Sequence, residues 1–223
     1  GYGIATDPSG NVYVTGQGGI RAVVTAFSVG NIAFSPTLAN SGTTDIFIVK
    51  YNTSGVVQWA TRVASPGDDI GYAIATDSSG NVYVTGQGGG GGWTVTAFNA
   101  DGTAFSPTLA NSGDSDAFIV KYNTNGVAQW ITRVGSTGSD IGLAIATDSG
   151  GNVYVTGRGG QGGVTTTAFS VGDIAFSPTL PFASTIDVFI VKYNTNGVVQ
   201  WIARVGSTGT DVGYAIATES GGN

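Results

Sequence analysis

The string Gly-Asn-Val-Tyr-Val-Thr-Gly begins at Gly10, at Gly80 and at Gly151, and its first two letters return at Gly222-Asn223. The spacings are 70, 71 and 71 residues. The residues between these strings keep step. Asp45-Ile-Phe-Ile-Val-Lys50-Tyr51 returns as Asp116 to Tyr122 and as Asp187 to Tyr193, each with Phe, Ile, Val and Lys in place. Trp59, Trp130 and Trp201 stand three residues before Arg62, Arg133 and Arg204, and Phe-Ser-Pro-Thr-Leu starts at Phe34, Phe105 and Phe176. Self-similarity at such a period restricts a chain to an array of like units that bury their faces on one another. The units are residues 1–70, 71–141 and 142–212, with residues 213–223 opening a fourth.

Each period reads as strands. Tyr72 to Thr76 and Asn81 to Thr85 flank a turn through Asp77-Ser-Ser-Gly80, β-branched and aromatic runs bounded by turn formers. Ala117 to Tyr122 and Val127 to Val134 flank Asn123-Thr-Asn-Gly126, whose Asn-Gly supplies the positive φ that such loops need. Between these hairpins lie a Gly-rich stretch and two short candidates, Val95 to Phe98 and Thr103 to Ser106. No window carries apolar residues at helical spacing. The fold class is all-β: three antiparallel four-stranded units of about 71 residues, each with an added short hairpin.

Runs such as Ile46-Phe-Ile-Val49 and Val198-Val-Gln-Trp-Ile202 are apolar on both faces, so both faces of each sheet need cover. Stacked sheets and radial repetition both supply it. The first strand of each unit is small on one face (Gly3 and Ala5, Ala73 and Ala75, Ala144 and Ala146), as crowding near a central axis requires. A β-propeller fits best.

The pattern from Asp69 to Gly86, followed by Asp-Ala-Phe-Ile-Val-Lys-Tyr at Asp116 and Val-Ala-Gln-Trp at Val127, resembles the bacterial SBBP-type beta-propeller repeat. The resemblance runs through nearly the whole chain and its two motifs recur three times in register. It implies a secreted or surface-displayed propeller, in large multi-repeat proteins, with no shared catalytic residues to carry over. A propeller closes with roughly four to eight blades, more than these three periods supply. The same strand opens the chain at Gly1-Tyr-Gly-Ile-Ala-Thr6 and recurs at Gly213 to Thr218, so the units form an incomplete ring or part of a longer or oligomeric array. Two readings stand: an excerpt of a longer array, or a segment whose ends pair with neighbouring copies.

Composition removes several kinds of chemistry. With no Cys and no His the chain has no thiolate or imidazole, which excludes disulfides, zinc sites on those ligands, Ser-His-Asp triads and Cys-His dyads. The formal charge of −6 without a basic cluster argues against nucleic acid as a partner. No apolar run reaches the length of a membrane span, and no stretch at the start reads as a signal peptide. No cofactor is expected.

Three acids recur in every unit: at the turn (Asp7, Asp77, Asp148), before the Phe strand (Asp45, Asp116, Asp187) and in the Gly-x-Asp loop (Asp69, Asp140, Asp211). Lys50, Lys121 and Lys192 end the Phe strand, and Arg62, Arg133 and Arg204 follow the Trp. A ring of carboxylates suits cation binding or acid/base work. Identical placement in every unit favours a structural reading, in which each charge satisfies loop amides or pairs within and between units, because an active site is asymmetric. Asp68-Asp69, the one adjacent acid pair, is weak ground for a metal. Gly88 to Gly92 lacks the strand-to-helix context and the Lys of a phosphate loop, and reads as a flexible or tight turn. Trp59, Trp130 and Trp201 read as core anchors. Asn52-Thr-Ser54 is a lone glycosylation sequon, incidental in a chain of bacterial type.

Where the copies disagree the sequence is more informative. After the repeated string come Gln17-Gly-Gly-Ile-Arg21, Gln87 with five Gly before Trp93, and Arg158-Gly-Gly-Gln161. Arg21, Trp93, Arg158 and Gln161 are therefore the candidates for ligand or partner contact, against neutral drift of a surface loop. The leading functional expectation is a non-enzymatic, extracellular or cell-surface structural protein, held together by packing and strand pairing and assembled into a larger fibre or layer. Its partners are copies of itself or further repeats. The alternative is a carbohydrate- or protein-binding adhesion module that uses the variable loops on glycans or surface proteins. A third reading, an enzyme using paired carboxylates or Tyr, finds no asymmetric acid pair to support it.

Overall fold

The computed structural model of the chain describes residues 1–19, 23–35, 37–160, 165–181 and 185–219. Those residues form seventeen strands and no helix. Repeat one holds β1 (Gly3–Thr6), β2 (Val12–Gly18), a small hairpin β3 (Phe27–Ser28) and β4 (Ile32–Ala33), then β5 (Asp45–Tyr51) and β6 (Val57–Ala64). Repeat two holds β7 (Ile70–Thr76), β8 (Val82–Gly88), β9 (Thr96–Ala97), β10 (Asp116–Tyr122) and β11 (Ala128–Gly135). Repeat three holds β12 (Ile141–Thr147), β13 (Val153–Gly159), β14 (Thr167–Ser170), β15 (Ile174–Ala175), β16 (Asp187–Tyr193) and β17 (Val199–Val205).

Each repeat is a four-stranded antiparallel meander, β1-β2-β5-β6, β7-β8-β10-β11 and β12-β13-β16-β17. The turns form where the sequence puts Asx and Gly. Asn123 Oδ1 accepts the backbone N–H groups of Asn125 and Val127, and Gly126 takes φ +74°. The same bulge recurs after the Lys of the third strand, between Lys50 and Tyr51, Lys121 and Tyr122, and Lys192 and Tyr193.

The sheets pack face to face, as both-sided apolar strands demand. One core joins Ile46, Ile48, Trp59 and Val63 of repeat one to Val82, Val84, Phe118, Val120 and Tyr122 of repeat two. A second joins Ala117, Ile119, Trp130 and Val134 to Val153, Val155, Phe189, Val191 and Tyr193. The small face of the first strand meets its neighbour there: Ala5 packs on the first core and Ala73 and Ala75 on the second. The innermost strands β1, β7 and β12 lie side by side, and with residues 214–216 they line one open cleft. The architecture is all-β and of the β-propeller-repeat type, four antiparallel sheets with no closed barrel.

The short segment between second and third strands leaves its own sheet. β9 of repeat two pairs with β6 of repeat one through Val63↔Ala97 and Ala64↔Thr96. β14 of repeat three pairs with β11 of repeat two through Val134↔Ala168 and Gly135↔Thr167, and carries β15 beyond it. Each repeat thus closes the outer edge of the one before it. An uncovered outer strand would expose unpaired N–H and C=O groups. The sequence located the added pair but not its destination. In repeat one the homologous hairpin β3–β4 stands as a separate two-stranded sheet.

Candidate functional site

The recurring charged and aromatic residues gather at the junctions between repeats. Lys50 lies with its Nζ 5.3 Å from the centre of the Tyr13 ring and donates to the Thr124 carbonyl of the next repeat at 3.1 Å. Trp59 Nε1 donates to the same carbonyl at 3.0 Å. Lys121 and Trp130 do the same to Thr195, each at 3.1 Å. The acceptor sits in the turn between third and fourth strands, so one carbonyl fixes each sheet against its successor. Trp59 and Trp130 also lie under the turn glycine of the next repeat. A Cβ at Gly126 would fall 2.9 Å from the Trp59 ring, and one at Gly197 2.9 Å from that of Trp130.

Further bonds bracket this clamp. The Tyr122 hydroxyl donates to the Arg62 carbonyl at 3.4 Å, and Tyr193 to that of Arg133 at 3.3 Å. Thr61 Oγ1 donates to the Phe98 carbonyl at 2.5 Å, and Thr132 Oγ1 to that of Phe169. On the innermost strands the Thr76, Thr147 and Thr218 hydroxyls donate to the carbonyls of Thr6, Thr76 and Thr147, at 2.7 to 2.8 Å. The part these threonines play across the junction was not read from the sequence. Their signal was present, as Thr recurs at 71-residue spacing, but a hydroxyl aimed at another unit's backbone looks the same in sequence as one aimed at its own.

The arginines cross the junction as well. Arg133 pairs with Asp116 of its own sheet at 2.6 Å and with Asp173, on the turn of the next repeat's hairpin, at 2.8 Å, and stacks 3.8 Å from the Phe169 ring centre. Arg62 stacks on Phe98 at 4.1 Å. The hairpin position that holds Asp173 is Gly102 there. Arg204 pairs with Asp187 at 3.1 Å.

The other recurring acids serve loops. Asp7 Oδ1 accepts the amides of Ser9 and Asn11, while Oδ2 accepts the Asn11 side chain and the Tyr13 hydroxyl, all at 2.8 to 2.9 Å. Asp77 and Asp148 repeat this set. Burial works to raise the Asp7 and Asp148 carboxyls, but the hydrogen bonds prevail and hold both below the usual carboxylate range. Asp69 and Asp140 are fully buried. Asp69 accepts Gly89 N at 2.9 Å and the Ser65 amide and hydroxyl, yet burial pushes it up to about 6. Asp140 is pushed up by the same cause. Among the described residues Asp68 accepts from Thr44 alone, at 3.3 Å, and no three acids gather at metal-ligating range.

The variable-loop candidates are not brought together. Arg21 and Gln161 lie outside the described residues. Arg158 lies within β13 opposite Ile141, on a strand of the sheet and not in the loop that follows it. Trp93 is 52% exposed. The Gly88–Gly92 stretch is a tight turn with positive φ at Gly89, Gly91 and Gly92, and it packs on residues 67–68. The Trp expectation needs one correction. Trp59 and Trp130 are buried at 6% and 4% exposure, whereas Trp201 is 40% exposed, because the turn that covers a Trp belongs to the following repeat.

Comparison with known proteins agrees with this construction. The profile of the SBBP beta-propeller repeat matches residues 1–20, 58–92 and 129–160. An uncharacterized WD repeat-containing protein of Acanthamoeba polyphaga mimivirus is 32% identical over 95% of this chain. A protein of Caulobacter vibrioides named as the regulatory protein FlaEY is 29% identical over 52% of it. The aligned regions span 16% and 12% of the lengths of those two proteins. Three segments of the chain thus match the SBBP beta-propeller repeat, on a fold of interlocked four-stranded sheets of the β-propeller-repeat type.

Proposed function

We propose that the chain is a structural, non-catalytic module of an extracellular or cell-surface protein, whose repeats serve to build a larger assembly with copies or further repeats of the same kind. The observation that carries this reading is the junction itself. The recurring Lys, Trp and Arg of repeats one and two, together with the inserted hairpins of repeats two and three, are spent on the neighbouring repeat. A chain whose repeated polar groups are committed to its own lattice is suited to bearing load. Protease shaving of intact cells and negative-stain microscopy of the native material test the reading. The expected result is release of the repeats from the cell surface and extended or layered particles. Intracellular retention with discrete small particles at every concentration would retire it.

A second reading rests on Trp93. Its indole is half exposed on a turn held by Gly89 and Gly92, a rigid presentation that suits stacking on a sugar ring or a partner protein. A glycan array with wild type and Trp93→Ala separates the two: a signal lost in the variant supports adhesion, and no signal on any glycan removes its carbohydrate form.

A further inference from the structure

We propose that the junction between repeats one and two carries a binding site for a small carboxylate anion, held by Arg62 at the place where the junction between repeats two and three supplies its own carboxylate from Asp173. The two junctions are built alike and can be compared group by group. At the second, Arg133 stacks 3.8 Å from the Phe169 ring centre and has an acid on each of two edges. Its Nη1 donates to Asp116 at 2.6 Å, while Nε and Nη2 donate to the two carboxylate oxygens of Asp173 at 2.8 and 3.3 Å. That fork is the bidentate geometry in which a guanidinium recognises a carboxylate.

Arg62 keeps the stack and lacks both acids. Its guanidinium lies 4.1 Å from the Phe98 ring centre, and among the described residues it forms no ion pair. Two differences between the repeats account for this. Gly102 takes the place of Asp173 in the hairpin loop, likewise at positive φ, +85° against +59°. Ala64 takes the place of Gly135, where a Cβ would fall 2.5 Å from the Asp116 carboxylate. The Ala64 methyl therefore denies Asp45 the position from which Asp116 reaches Arg133, and Asp45 acts on Arg62 through charge without an ion pair.

These exchanges leave space beside a cation that lacks its carboxylates. A Cβ at Gly102 would have nothing within 4 Å. A cavity of about 140 Å³ opens there, bordered by Arg62, Phe98 and Gly102 and by Leu38 and Ala39 of repeat one. Low-polarity walls strengthen a charged hydrogen bond. Half-buried and set by its ring contact, the guanidinium is oriented before a ligand arrives, so little entropy is lost on binding. The space admits a short-chain monocarboxylate, with its oxygens on Nε and Nη2 and its carbons toward Leu38 and Ala39. The acid on the rim, Asp101, turns its carboxylate to Thr103, accepting the amide at 2.8 Å and the hydroxyl at 2.6 Å. A carboxylate arriving beside Asp45 is no obstacle, since Arg133 holds Asp116 and Asp173 at once. The bound anion would fill in the first junction the gap that Asp173 fills in the second.

Two-dimensional NMR of the arginine Nε–H and backbone amide signals tests the proposal, with chloride exchanged for propionate at constant ionic strength. The Arg62 Nε–H and the Gly102 amide should shift together and saturate, with a dissociation constant on the order of 10 mM, the yield of one bidentate charged pair. The Arg133 signal, already engaged by Asp173, should stay in place. Formate should bind several-fold more weakly than propionate, because it leaves the apolar wall uncovered. In Arg62→Lys the Gly102 response should weaken about fivefold or more, since an ammonium offers no fork. Gly102→Asp should move the Arg62 signal toward that of Arg133 and abolish the response to propionate. No saturation at Arg62 in wild type up to roughly tenfold the expected constant overturns the proposal, whether or not the variants fold. So does an equal response at Arg133, an unchanged response in Gly102→Asp, or sulfate that saturates as tightly as propionate. Each of these results leaves the surface-assembly reading to its own test.

Discussion

Asp77 shows how one residue can hold a turn. Its two carboxylate oxygens accept from Ser79 N, Asn81 N, Asn81 Nδ2 and the Tyr83 hydroxyl, and Asp7 and Asp148 do likewise. Removing the acceptor strands a buried phenol, so Asp77→Ala should cost about 2 to 3 kcal/mol in urea unfolding, while Tyr83→Phe should cost about 1 kcal/mol. With pH, Asp69 and Asp140 act in the opposite sense to Asp7 and Asp148. The Asp69 carboxyl lies near 6 in the folded state against 3.8 for the free group, so the folded chain binds the extra proton. Its contribution is fullest below the unfolded value and is lost as pH rises through the folded one, on the order of 2 to 3 kcal/mol. Asp7 and Asp148, held low, contribute above the free-acid value and lose that contribution as pH falls through their own. The unfolding midpoint should therefore rise as pH falls from neutral toward 5 and drop again below about 4. Asp69→Asn should make the first limb shallower without abolishing it, since burial raises Asp116 and Asp140 as well, and should leave the second, a comparison for differential scanning calorimetry.

At the scale of the element, the inserted hairpin is the part that turns three sheets into one body. Pairing of β9 with β6 and of β14 with β11 covers outer edges that would otherwise offer bare backbone. Thr132→Val keeps the shape and deletes the bond to the Phe169 carbonyl, so about 1 kcal/mol should be lost. Gly126→Ala should be costlier, about 2 kcal/mol or more, because the added methyl meets Trp59 and the residue keeps φ +74°. Chemical denaturation reads both. The β-branched and aromatic strands and their Asx-Gly turns were legible because local residue preference encodes them. The hairpin's docking was not, since Val95 to Phe98 carries the same apolar signal whether it pairs at home or on the preceding sheet.

For the whole molecule, stability is a sum over units and junctions, and a weakened junction should loosen both repeats that share it. The junctions are mainly apolar and backbone-mediated, with 22 charged residues in 223. The unfolding midpoint at neutral pH should accordingly move by only a few degrees between low and molar salt, checked by thermal melts, because few exposed pairs are available to screen. The sequence by itself determined the unit, its four strands, its turns and the need for cover on both faces, because residue preference for strands and turn chemistry are local properties. The three-dimensional fold decided which unit each side chain serves. Lys50, Trp59 and Thr61 each act on the following repeat, and Trp201 differs from Trp59 in burial although the same Gly-Val-Val-Gln precedes both. Burial and hydrogen bonding across a junction depend on what lies opposite in space, and identical repeats carry no local mark of who their neighbour is.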